Sequence, residues 1–111
     1  MRVFGWGSES VESRFASVLQ TGEMEYIPRK QCVSVHGVQD VNRKAICAGT
    51  GHSGASLCRG DLGTPLLLTS GAEDVLIGIG FTNATGDCDA PSEFLRIAFF
   101  MRWIKEYVSV D

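Results

Sequence analysis

Residues 58–65 read Cys58-Arg59-Gly60-Asp61-Leu62-Gly63-Thr64-Pro65. Two glycines and an aspartate supply turn geometry, and Leu62 puts a hydrocarbon side chain into the middle of that turn. Working outward, the preceding piece Gly49-Thr50-Gly51-His52-Ser53-Gly54 and the later piece Asn83 to Pro91 carry the same turn chemistry and read as surface loops. Between such pieces lie short segments rich in β-branched and apolar residues. They are Arg2 to Trp6, Ser17 to Thr21 with Glu23 to Ile27, Ala45 to Ala48, Pro65 to Thr69, Val75 to Thr82, and Glu93 to Ile97. Six short strands in a row predict an all-β chain, a six-stranded antiparallel barrel that is closed or nearly closed.

The period changes from Ala98 to Val108. Phe100, Ile104 and Val108 recur four apart, with Met101 and Trp103 near the same side and Lys105 and Glu106 facing away, which predicts an amphipathic C-terminal α-helix docked on the barrel. Phe99, Phe100, Trp103 and Tyr107 are read as core and docking residues in preference to an aromatic binding box. The chain shows no internal repeat and no low-complexity tract.

Composition bounds the function classes. The chain has 111 residues, 44% of them hydrophobic and 21% charged, with 13 glycines, which is a globular, turn-rich composition and one domain. Ten basic and 13 acidic residues give a formal charge of −3. The basic residues Arg2, Arg14, Arg29, Lys30, Arg43, Lys44 and Arg59 are dispersed, so neither nucleic acid nor an anionic membrane is expected as a partner. The longest strongly apolar run, near Ile97 to Met101, falls far short of the roughly 20 residues that span a bilayer. Met1-Arg2-Val3-Phe4-Gly5-Trp6-Gly7 holds no apolar stretch long enough for the core of a secretory signal.

Cys32, Cys47, Cys58 and Cys88 are an even count in a small chain, which fits two disulfides in an oxidising compartment; four cysteines allow three pairings. A zinc site would have to recruit His36 or His52, but no two cysteines stand in a compact C-x2-C or C-x4-C pair, so no metal and no cofactor is expected. Asn83-Ala84-Thr85 matches the acceptor pattern for N-glycosylation, which acts on chains entering the secretory pathway.

The stretch at 58–65 resembles the Cys-x-Gly-Asp-Ser-Gly-Gly-Pro signature around the nucleophile of trypsin-like (chymotrypsin-fold, S1-type) serine proteases, and six of its eight positions fit. Gly5-Trp6-Gly7 upstream, Ile46-Cys47-Ala48-Gly49 before it and Trp103-Ile104 at the end occur in that family in the same order, so the resemblance covers nearly the whole chain. It implies that residues 1–111 form the second, C-terminal barrel of the two-barrel fold, with the first barrel absent. It also implies disulfides Cys32–Cys47 and Cys58–Cys88, each contributing about 3 to 4 kcal/mol on the chain-entropy account. A third family bridge is missing, because Leu68 sits at one of its cysteine positions.

The resemblance places Leu62 at the nucleophile. Attack on a carbonyl needs a hydroxyl that can pass its proton to a base, and leucine offers only hydrocarbon. No residue of this chain matches the family's catalytic histidine or its orienting carboxylate, and His36 and His52, each following a turn-like or loop sequence, read as surface histidines, so no catalytic residue is expected. The backbone amides of Gly60 and Leu62 would form an oxyanion-hole-like pair. Ser56, Gly80 and Phe81 would line a vestigial specificity pocket, with the last two placed to within a one-residue slip. Asp61 corresponds to the carboxylate that pairs with the new α-amino group on activation; here it is read as satisfied by local backbone amides. Thr64 replaces a glycine of the signature, which together with Leu62 and Gly80 implies that selection for catalysis has lapsed.

Three functions are weighed. The first is a secreted pseudo-protease that binds and inhibits another protein, similar in character to the glucanase inhibitor proteins of filamentous plant pathogens, whose partner by analogy would be a host endo-β-1,3-glucanase, a secreted glycoside hydrolase. The second is a truncated, non-functional fragment that exposes an apolar face and aggregates or dimerises. The third, another enzyme chemistry, finds no paired carboxylates, metal cluster or phosphate loop to support it.

Overall fold

A computed structural model describes residues 1–6, 17–36, 44–49, 62–82 and 92–109. Within them the chain runs β1 (Arg2–Gly5), β2 (Gln20–Glu23), β3 (Glu25–Ile27), α1 (Arg29–His36), β4 (Ala45–Gly49), β5 (Pro65–Ser70), β6 (Glu73–Thr82), β7 (Ser92–Arg96) and α2 (Ile97–Lys105). All strand pairs are antiparallel, and the sheet order is β2-β1-β5-β6-β7-β4-β3.

The two outer strands of that order, β2 and β3, are separated in the chain by the single residue Met24. The segment read as one strand is therefore bent at Met24: its first half pairs with β1 and its second with β4. This bend brings the sheet's two edges together as a nearly closed barrel, which protects strand edges that would otherwise be open to other chains. Met24 is buried, and its amide donates to the Met1 carbonyl at 2.8 Å.

The barrel core gathers Val3, Met24, Ala48, Leu66 and Phe94, with Met1, Ile46 and Ile77 packed against them. Pairing explains the grouping, since Val3 faces Leu66, Leu66 faces Gly78 and Ile46 faces Phe94 across neighbouring strands. Gly78 allows the closest approach: a Cβ built there would lie 2.9 Å from Phe94 Cβ. The β5–β6 hairpin turns through Gly71-Ala72, and Gly71 has a φ of 61°, which fits the first central position of a type II′ turn.

A second cluster, Ile27, Cys32 and Cys47, lies where α1 packs on β4. The expected Cys32–Cys47 disulfide is present there, with an S–S distance of 2.05 Å. Cys58 and Cys88 lie outside the described residues.

Three readings are corrected. His36 is the last residue of α1 and does not follow a loop; Pro28 accepts from the Cys32 amide at 3.0 Å, which opens that helix. The C-terminal helix spans Ile97–Lys105, leaving Val108 beyond its end in a turn whose amide donates to Ile104. Phe100, Met101 and Ile104 are half-buried where α2 packs on β6, but Phe99, Trp103 and Tyr107 are 45%, 61% and 73% exposed. Phe99 and Trp103 stand four apart on a neighbouring face of α2 and Tyr107 follows in the turn after it, so the three are not core residues.

Candidate functional site

The site is built on the turn that precedes β5. Leu62 and Gly63 form the turn, and Leu62 is 66% exposed. Gly63 takes a φ of 88°, in the left-handed region that favours glycine. Its amide donates to the Gly80 carbonyl at 2.7 Å, and the Gly80 amide donates to the Thr64 carbonyl at 2.8 Å. Two residues of the turn thus face one residue of β6, a bulge-type arrangement that aims the preceding side chain. Pro65 then starts β5, the strand position where the missing amide does least harm.

Thr64 holds the turn from the other side. It is buried, and its Oγ1 donates to the carbonyl of Phe4 on β1. The residue read as a sign of relaxed selection therefore ties the turn to a strand far away in sequence. Thr64→Val keeps the shape and removes the donor, so it is expected to cost about 1 kcal/mol, read as a lower urea midpoint at an unchanged slope. An unchanged midpoint would show that the hydroxyl does not hold the turn.

Of the residues read as site residues, Gly80 is bonded to Gly63 and Thr64, the two residues that follow Leu62, with Phe81 next along β6 and 40% exposed. Gly60, Ser56, Cys58, Cys88 and Asn83 lie outside the described residues, as do Asp61 and His52. The side chain at 62 carries no proton donor or nucleophile. What the described geometry presents is an apolar side chain projecting from a turn pinned by three hydrogen bonds.

Cys32, Cys47 and Glu93 place metal-ligand atoms within 4.8 Å of one another, all buried. The two sulfurs are joined to each other and are not thiolates, so this group does not have the donor set of a zinc site. No helix among the described residues is long and apolar enough to cross a membrane.

Two features escaped the sequence reading. One is α1, whose signal was Pro28 followed by the helix-forming run Arg29-Lys30-Gln31. The other is a recess beside it, lined by Arg29 and Arg96, which no local pattern connects.

A nearly closed antiparallel barrel followed directly by a helix, with a glycine-flanked turn feeding β5, defines the protease-homologue class of β-barrel. The trypsin family matches residues 1–104, and the chain belongs to it. Transmembrane protease serine 7 of Mus musculus is 33% identical over 110 residues, which are 96% of this chain and 13% of that protein. Glucanase inhibitor protein 3 of Phytophthora sojae is 31% identical over 112 residues, covering 96% of this chain and 78% of that protein. A venom serine protease of Polistes dominula is 32% identical over 102 residues, covering 90% and 36%. The chain thus spans small and large parts of different relatives.

Proposed function

We propose that this chain is a non-catalytic trypsin-family protein that works by binding another protein, and that its partner is a secreted glycoside hydrolase of the endo-β-1,3-glucanase type. The observation that carries this reading is Leu62, a hydrocarbon at the position where the family signature has its serine, 66% exposed at the tip of the pinned turn. Acyl transfer through that residue has no hydroxyl to begin from. An exposed apolar side chain on a rigid support is, by contrast, a good anchor for a protein interface. The relative named a glucanase inhibitor supports the choice of partner. The domain is proposed to correspond to the second barrel of the family, and the buried disulfide supports an extracellular setting.

The test measures laminarin hydrolysis by a purified secreted endo-β-1,3-glucanase with increasing amounts of the oxidised chain, using a reduced and unfolded sample as control. Saturable inhibition by the folded sample alone is expected, with no release from peptide ester substrates. Leu62→Ala is expected to weaken inhibition about tenfold while leaving the fold intact, as truncation of an interface anchor does. Equal inhibition by the folded and unfolded samples, or none by either, overturns the choice of partner.

One observation favours a second reading. Phe99 and Trp103 on α2 and Tyr107 in the turn that follows it lie exposed, with the Trp103 and Tyr107 rings 5.3 Å apart. A face of that kind suits a domain that packs on another body. Under this reading the chain self-associates and inhibits nothing, so a dimer or aggregate in light scattering together with undiminished laminarin hydrolysis would favour it.

A further inference from the structure

Arg29 begins α1 and Arg96 ends β7, yet both line one recess of about 180 Å³. Tyr26, Ile27, Ile46 and Cys47 form much of the remaining wall, and no carboxylate is among the described residues that line it. Three adjacent strands hold it: Ile27 pairs with Cys47, Ala45 pairs with Leu95, and the Arg96 amide donates to the Lys44 carbonyl at 2.7 Å. The Cys32–Cys47 bridge fixes the first turn of α1 to β4, so Arg29 stands on a cross-linked support. Neither guanidinium forms an ion pair among the described residues.

The local charge is also the reverse of what a helix prefers. The amino end of a helix carries the positive end of its dipole and favours anions, whereas α1 has Arg29 and Lys30 there and no acidic residue in its first turn. On α2 the order is the favourable one, with Arg102 and Lys105 in the last turn. An anion in the recess would relieve the first arrangement. The planar guanidinium fork matches carboxylate, sulfate and phosphate oxygens in pairs, and Tyr26, 59% exposed, adds a ring and a hydroxyl at the rim.

We propose that this recess is an oxyanion-binding site in which Arg29 and Arg96 grip a carboxylate, sulfate or phosphate group. The site lies apart from the turn at Leu62 and does not depend on the identity of a protein partner. It would give a chain of net charge −3 a localised affinity for anions.

The experiment titrates the oxidised chain with sodium sulfate, with sodium phosphate and with an acetylated tri-aspartate peptide, at ionic strength held constant with sodium chloride, while backbone amide resonances are followed. Saturable shifts are expected at residues 26, 27, 29, 45–47 and 96. Arg29→Gln and Arg96→Gln are each expected to weaken binding about tenfold, the cost of losing a hydrogen bond to a charged group, whereas Arg102→Gln leaves it unchanged. Tighter saturation by the peptide than by the inorganic anions assigns the site to an acidic segment of a protein; saturation by sulfate or phosphate at least as tight assigns it to a free anion. Shifts that never saturate, or parent-like binding by both recess variants, overturn the proposal.

Discussion

Phe94→Ala is expected to lower the unfolding free energy by about 3 to 5 kcal/mol, the usual range for removing a buried aromatic ring. Phe94 is fully buried at the centre of the barrel core, beside Ala48 and Leu66, and faces Ile46 on one neighbouring strand and Gly80 on the other. A domain of this size has about 5 to 15 kcal/mol to lose, so this is a large share of its stability and should lower the urea midpoint markedly. Gly78→Ala tests the same contact from the other side. In an open strand, alanine in place of glycine stabilises by about 0.5 to 1 kcal/mol; here the new Cβ meets Phe94 Cβ at 2.9 Å and two Leu66 atoms at 3.4 Å, so a loss of about 1 to 3 kcal/mol is expected. Because the nearest atom is the Cβ that alanine keeps, the penalty should persist in the Phe94→Ala background. Urea titrations of the two variants and their combination check both points, and a stabilising Gly78→Ala would show that the strands do not approach this closely.

The strands were legible because each is a short run of β-branched and apolar residues bounded by turn chemistry, as in Pro65–Ser70 and Glu73–Thr82. Local pattern could not show how the sheet closes. The bend at Met24 looks like any apolar residue between two polar ones, and only its pairing on both sides reveals that β2 and β3 are one strand serving two neighbours. Helical periodicity placed α2 to within a few residues but could not rank its apolar faces. Phe100 and Ile104 are half-buried, while Trp103, with a larger apolar surface, is exposed. Hydropathy measures what a residue would gain by burial and does not say whether the fold supplies a neighbour.

At the turn, Leu62 and the glycines could be read from a family signature, because the spacing that shapes the backbone is local. The tie from Thr64 to Phe4 could not, since its partners stand 60 residues apart in sequence and no side-chain type at 64 names a carbonyl at 4. The same limit hid the recess. Arg29 and Arg96 are two dispersed charges in the sequence and become neighbours only because β7, β4 and β3 are adjacent in the sheet. Even the helix that presents Arg29 carries a weak signal, with a proline, two cations at the wrong end of the dipole and no polar cap residue to announce it.

Replacing both Cys32 and Cys47 by alanine is expected to cost about 3 kcal/mol, the chain-entropy value for a loop of this size, since the bridge joins residues 15 apart in sequence. The bridge also does structural work that entropy alone does not describe. It is the covalent link between α1 and β4, both sulfurs belong to buried residues, and Ile27 completes that cluster. Loss of the link should therefore loosen α1 before it opens the barrel, whose core of Val3, Met24, Ala48, Leu66 and Phe94 lies elsewhere. Amide exchange separates the two effects: exchange at residues 32–36 should quicken well below the global unfolding midpoint, while exchange in β5, β6 and β7 should follow global stability. Reduction of the parent chain should reproduce the loosening of α1. If α1 and the barrel strands lose protection together in both experiments, the helix is an integral part of the folding unit, and the bridge acts on the unfolded chain alone.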